Sequence, residues 1–158
     1  MADDSTAKRQ KTEAAATPQR MSGKVCVVTG ASSGIGEAIA RALHQEGAKV
    51  CVGARREDKL AALCAELGEG STFLTTDVAK RADMKALVAQ AEGAFGKGVD
   101  LLVNVAGVMY FTMMKNCQED EWERTVDVNC KGVMNGFGAR EPYAAMLLEL
   151  SGYWYKKI

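Results

Sequence analysis

The chain has 158 residues, 47% hydrophobic and 25% charged, the proportions of one soluble globular domain with an ordinary core. Lys plus Arg and Asp plus Glu number 20 each, so the formal net charge is +0 and no overall field draws in nucleic acid or an anionic membrane. Cys26, Cys51, Cys64, Cys117 and Cys130 never fall at C-x-x-C spacing, and no apolar run is long enough for a membrane span or a signal core. Neither a disulfide framework nor a metal site is therefore expected, and a reducing compartment, the cytoplasm, is the expected location.

Residues 1–20 are rich in Ala, Thr, Lys, Asp and Gln and contain no aromatic or β-branched apolar residue, so they are expected to be a disordered tail. Lys8-Arg9-Gln10-Lys11 matches a nuclear-import cluster only as chance often does, and no localisation rests on it. The domain is expected over residues 21–158. Its first strand is the apolar run 24–28, and the stretch Thr29-Gly30-Ala31-Ser32-Ser33-Gly34-Ile35-Gly36 joins that strand to a helical run beginning at Glu37. A strand, a glycine turn and a helix in this order present unpaired amides and the positive end of a helix dipole to a phosphate, and the glycines let the backbone approach it closely. A nucleotide cofactor is predicted.

Ile35, Ile39, Ala42 and Leu43 recur at helical spacing as far as residue 45 or 46, and Gly47 ends that helix. A second strand is expected at 49–53, a second helix at 57–67 ending at Gly68, and a third strand at 72–76. A third helix at 80–95 carries Met84, Leu87, Val88, Ala91 and Phe95 along one side, and a fourth strand follows at 99–103. Such alternation implies parallel strands with right-handed crossovers. The expected fold class is therefore α/β, a Rossmann-type doubly wound parallel sheet, partial, in the order 3-2-1-4. One long helix is expected at 120–135, with Trp122, Thr125, Val126, Val128, Asn129, Val133 and Met134. Helix resumes at 143–150 after Pro142, which kinks or restarts it, and Gly136 and Gly138 weaken the same place.

From Lys24 to about Gly152 these motifs resemble the classical short-chain dehydrogenases/reductases. The turn at Thr29 to Gly36 is similar to the family's T-G-x-x-x-G-x-G, with Gly30, Gly34 and Gly36 at its glycines and Ser32, Ser33 and Ile35 between them. Asp77-Val78 follows the third strand, where the resemblance implies an Asp on the adenine amino group and a Val lining the ring. Asn104-Val105-Ala106-Gly107 resembles N-N-A-G, with Val105 in place of the second Asn. Asn129 resembles the Asn of the catalytic tetrad. What the resemblance implies is an oxidoreductase acting on a carbonyl or secondary alcohol, with Asn129 as its catalytic residue and Gly30, Ser32, Ser33, Gly34, Ile35, Gly36, Arg55, Arg56, Asp77, Val78, Asn104, Ala106 and Gly107 at the cofactor. Asp77 read by itself also suits a turn or N-cap, and Asn104 a bend after the fourth strand.

Charge bears on the choice of dinucleotide. An acid at the end of the second strand would bind a ribose 2′-hydroxyl and repel a 2′-phosphate. This chain instead has Gly53-Ala54-Arg55-Arg56, with no acid before Glu57. The guanidinium fork of Arg55, supported by Arg56, suits a phosphate, so NADP(H) is expected over NAD(H).

The family's acid/base pair is a Tyr and a Lys four residues later, the cation bringing the phenol down from its ordinary pKa of about 10. Tyr153 and Lys157 have that spacing, but Ser151-Gly152 reads as a turn into a fifth strand. Residues four apart on a strand stand about 13 Å apart, against about 6 Å on a helix, so this pair is not expected to be catalytic. The catalytic Ser is likewise not matched, and the chain reads as the cofactor-binding part of such an enzyme. A fourth strand left as an edge predicts marginal stability or aggregation. Two classes follow: an NADP(H)-dependent oxidoreductase active in a longer form, or a catalytically silent nucleotide-binding or interaction protein, pairing through its long helix. His44 reads as a surface residue. Met109, Met113 and Met114 either line an apolar pocket or simply pack.

Overall fold

The first strand, β1 (Val25–Thr29), is buried along its whole length, and its side chains divide between two separate cores. Val25 and Val27 pack with Met84, Leu87, Val88 and Ala91, whereas Cys26 and Val28 pack with Ala40, Leu60 and Leu63. Successive side chains of a strand point to opposite faces, so a strand apolar at every position belongs inside a sheet covered on both sides.

The computed structural model describes residues 19–111 and 117–139 and places β1 in such a sheet. With β2 (Lys49–Ala54), β3 (Ser71–Thr75) and β4 (Leu101–Val103) it forms four parallel strands in the order β3-β2-β1-β4, as the alternation of elements predicts. In register, Val27 lies opposite Cys51 and Leu102, and Val52 lies opposite Phe73. Helices α1 (Gly34–Gln45) and α2 (Glu57–Leu67) cover one face through Ala40, Leu60 and Leu63. Helix α3 (Arg81–Phe95) covers the other through Met84, Leu87, Val88 and Ala91.

The long helix differs from expectation. Helix α4 (Glu119–Val126) runs into a π-helical segment, Asp127–Lys131, and α5 (Gly132–Phe137) follows. The wider turn changes which side chains face the domain. Helix α4 buries none of its residues, the π-segment buries Val128, and α5 buries Gly132, Asn135 and Gly136. Trp122, Val126 and Met134, all within the expected helix, are exposed.

Arg20, counted with the tail by composition, is already tied to the domain. Its guanidinium pairs with Glu46 at 3.2 Å, and the next amide, of Met21, donates to the Glu46 carbonyl at 3.0 Å. Residues 1–18 with their basic cluster, Met113 and Met114, and Pro142, the helix expected at 143–150, Ser151, Tyr153 and Lys157 lie outside the described residues. Among the described residues no helix is long and apolar enough to cross a membrane.

Candidate functional site

A cleft of about 540 Å³ opens at the C-terminal ends of the strands, the place where open α/β sheets hold ligands. Its walls come from four segments. The turn after β1 supplies Gly30, Ser32, Ser33, Ile35 and Gly36; the end of β2 supplies Ala54, Arg55 and Arg56; the segment after β3 supplies Thr76, Asp77 and Val78; the loop after β4 supplies Val105, Ala106, Gly107 and Val108. Arg124 of α4 and Val128 of the π-segment complete it. Of the residues expected at the cofactor or in catalysis, Gly34, Asn104 and Asn129 stand outside this lining.

The glycine turn is compressed from both sides. Gly30 has φ +69°, and a Cβ there would stand 2.7 Å from the backbone of Ala106. A Cβ on Gly36 would run into the carbonyl of Gly30, so a methyl group has no room at either place. Ser33, the residue before α1, is extended and makes no side-chain hydrogen bond to the helix amides. Its hydroxyl accepts instead from Arg56 Nη2 at 2.7 Å, and the Ser32 hydroxyl accepts from the same nitrogen at 2.9 Å. The first-turn amides of α1 therefore lack a side-chain acceptor and suit an anion.

The two arginines do different things. Arg56 is fastened to the serines of the turn, whereas Arg55 is exposed and has no hydrogen bond or ion pair among the described residues. The nearest acid, Glu57, accepts from the Thr75 hydroxyl at 3.3 Å. This end of the cleft thus carries two guanidinium groups beside a carboxylate that already has a donor.

Thr29, 1% exposed, joins the turn to the facing loop. Its hydroxyl accepts from the amides of Val105 and Ala106 at 3.1 and 3.3 Å and donates to the Val103 carbonyl at 3.4 Å. Asn129 holds the same loop from the other side: Nδ2 donates to the Val108 carbonyl and Oδ1 accepts from the Val108 amide, both at 2.8 Å. The amide of Asn129 is thereby committed to backbone, as a strand partner would be. Asn104 Oδ1 is buried without a hydrogen-bond partner among the described residues, in the space that a Cβ on Gly136 would fill.

Asp77 belongs both to a turn and to the cleft wall. Its Oδ1 accepts from the Ala79 amide at 3.1 Å, a turn contact, while the carboxylate also faces the cleft. Arg124 Nη2 lies 3.0 Å from Oδ2 and 3.3 Å from Oδ1. Burial works to raise the pKa of this carboxyl, but the Ala79 amide and Arg124 outweigh it and hold the group below its ordinary value. Val78 is buried, and its carbonyl accepts from Asn135 Nδ2 at 2.9 Å. A Cβ on Gly132 would stand 2.7 Å from Val78 Cγ2, so α5 packs directly on this wall.

Thr29 opens the turn motif without a role of its own there, and motif reading does not place Arg124, or Ala54, Thr76, Val108 and Val128 of the lining, at the site. Thr29 carried a signal, a lone hydroxyl at the end of an apolar strand. Arg124 carried none, since an arginine among the acidic residues of an exposed helix looks like any solvated one. His44 lies away from the cleft, with Nε2 2.9 Å from the Glu69 carbonyl, and Met109 is 74% exposed.

A family model described as short chain dehydrogenase matches residues 24–150. Over 125 residues, 77% of this chain, the sequence is 54% identical to glycine betaine reductase ATRR of Emericella nidulans, of which it covers 10%. It is 42% identical over 131 residues to an uncharacterised oxidoreductase of Staphylococcus aureus, covering 82% of this chain and 55% of that protein. The chain spans about half the length of the staphylococcal relatives it matches. Among solved structures, it is similar to the 3-ketoacyl-(acyl-carrier-protein) reductase of Brucella melitensis complexed with NADH, with TM-score 0.72 and 33% identity over 77% of this chain and 50% of that one. It is also similar to the alcohol dehydrogenase of Thermococcus sibiricus complexed with 5-hydroxy-NADP, with TM-score 0.68 and 38% identity over 73% and 51% of the two chains. With its parallel sheet, its glycine turn and a family match over nearly all of the described residues, the chain belongs to the short-chain dehydrogenase/reductase family of nicotinamide-dependent oxidoreductases.

Proposed function

We propose that this chain binds NADP(H) in preference to NAD(H), and that its reaction is the interconversion of a carbonyl and a secondary alcohol. The observation that carries the cofactor choice is the paired guanidinium group at the end of β2. Arg56 is fixed on Ser32 and Ser33, Arg55 has no ion-pair partner among the described residues, and Glu57 is turned to Thr75. A 2′-phosphate placed there meets fork-shaped donors, whereas a bare 2′-hydroxyl lacks the carboxylate that usually receives it. The related structures were solved with NADH and with 5-hydroxy-NADP, so the choice is argued from this chain's own charges.

NADP(H), when bound, supplies or accepts the hydride. Gly30 and Gly36 keep side chains away from the diphosphate, Gly34 takes the positive φ that the turn requires, and the first-turn amides of α1 donate to the diphosphate. Asp77 and Val78 receive the adenine, and Ala106 and Gly107 form the floor beside the dinucleotide. Asn104 stands against Gly136 with its Oδ1 unpartnered among the described residues. Asn129 acts in the reaction as a positioning residue, by holding the Val108 backbone. The carbonyl or alcohol substrate follows from the family's chemistry.

Fluorescence titration of the chain with NADPH and NADH tests the cofactor choice. NADPH is expected to bind about tenfold tighter or more, since the phosphate gains charge-assisted hydrogen bonds that the hydroxyl cannot make. Arg55→Ala is expected to remove most of that difference. Equal affinity for the two dinucleotides in the unaltered chain contradicts the assignment.

A further inference from the structure

We propose that Arg124 makes this cleft selective for adenine, by holding the Asp77 carboxylate as a directed acceptor for an exocyclic amine. The inference rests on the dinucleotide reading above and extends it to a residue that no motif of the sequence marks.

Helix α4 buries none of its residues, yet the Arg124 side chain is only 29% exposed because it leaves the helix surface to reach Asp77, itself 21% exposed. The two are 47 residues apart in sequence, and both line the cleft. A carboxylate offers about four acceptor positions. At Asp77, Oδ1 receives the Ala79 amide and Arg124, and Oδ2 receives Arg124 alone among the described residues. One position on Oδ2 is left for a ligand. Without Arg124 the Ala79 amide would be the one hydrogen bond left on the carboxylate among the described residues, beside the longer-range attraction of Arg55, and its terminal torsion is intrinsically broad. An acceptor held in one direction suits the 6-amino group of adenine. A purine with a carbonyl at that position turns lone pairs toward a carboxylate and leaves it unpaired, which is how a polar site rejects a near-isostere.

The test compares NADPH with the reduced form of nicotinamide hypoxanthine dinucleotide phosphate, whose purine has a carbonyl in place of the 6-amino group and, with it, a proton on N1. In the unaltered chain NADPH is expected to bind about tenfold tighter or more. Arg124→Gln is expected to weaken NADPH by about tenfold while changing the hypoxanthine analogue less than about twofold, so that the ratio collapses. Arg124→Lys, which restores the charge with a single-point donor, is expected to recover part of the ratio. Equal weakening of both ligands in Arg124→Gln, with unchanged far-UV circular dichroism, assigns Arg124 a structural role and overturns the proposal. If Arg124→Gln does not fold, the unaltered chain and Arg124→Lys decide by the same ratio. An unaltered chain that binds both ligands equally overturns this inference and leaves the dinucleotide reading standing; one that binds neither overturns both.

Discussion

Residues 25–78 on one side, and residues 104–111 and 117–137 on the other, form facing walls of one cleft and differ in how they are held. In the first wall β1 is buried throughout, β2 is buried except for Lys49, and the glycine turn sits where no methyl group fits. In the second, α4 buries nothing, and the strand that leads into it, β4, has three residues of which Leu101 is 37% exposed. Polar ties hold that wall to the first: Thr29 on Val105 and Ala106, Arg124 on Asp77, and Asn135 on Val78. Close packing therefore sets the shape of the anion cradle, and its distance from the facing wall is set by hydrogen bonds and one ion pair together with the contacts of Gly132 on Val78 and of Ala106 on Gly30. Of these ties only the Arg124–Asp77 pair carries a group that titrates.

The comparison breaks most sharply at Gly36. Gly36→Val drives side-chain atoms into the Gly30 carbonyl, and such overpacking against backbone is expected to cost about 3 kcal/mol and to abolish NADPH binding. Urea denaturation and dinucleotide titration of the same preparation measure the two effects. Thr29→Val keeps the volume but strands the half-buried amides of Val105 and Ala106, for an expected loss of about 1–2 kcal/mol. Its urea midpoint should fall without a change in slope. If Thr29→Val proved neutral, the hydrogen-bonded tie between the walls would have to be abandoned.

The two walls also differed in how well they could be read from sequence. The first is local: glycine spacing, strand runs and helix stops lie within a few residues of what they control, and α2 spans residues 57–67 as its pattern predicts. Strand order was legible for the same reason, because alternation with helices leaves few ways to connect parallel strands. The second wall depends on contacts between distant residues. Arg124 finds Asp77 across 47 positions, and nothing in the periodicity of an exposed helix announces that. The π-segment was invisible too, since a wider turn adds one residue without changing residue type. Which arginine would meet the turn was a matter of side-chain geometry: Arg56, cast as support, is the one that reaches Ser32 and Ser33.

Acid should loosen the Arg124–Asp77 tie. The Asp77 carboxyl is held below its ordinary value, so the folded state binds this proton less readily than the unfolded chain does. Its stabilisation is present above the unfolded value of about 4 and is lost as the pH falls through the folded one. The pair is partly exposed, so the contribution is about 1 kcal/mol or less. The stability difference between the unaltered chain and Arg124→Gln should accordingly shrink between neutral pH and about pH 3, read from urea midpoints. A difference that stays constant over that range contradicts the ion-pair account.

The smallest expected effect concerns thiols. Burial pushes Cys51 up to about 12 and raises Cys26, and both lie in the two cores of the first wall. Cys117 and Cys130 are exposed. A thiol reagent at neutral pH should modify Cys117 and Cys130 quickly, and Cys26 and Cys51 only on unfolding. Rapid modification of Cys51 in the native chain would mean that the first wall opens more readily than its packing implies.

The central claim is that the packed wall is a cradle for a phosphorylated dinucleotide. Calorimetric titration of NADPH into the unaltered chain, with Gly36→Val beside it, tests this most directly. The account predicts saturable binding at one site per chain, tighter for NADPH than for NADH and absent in Gly36→Val. A folded, unaltered chain that shows no saturable heat with either dinucleotide would contradict it.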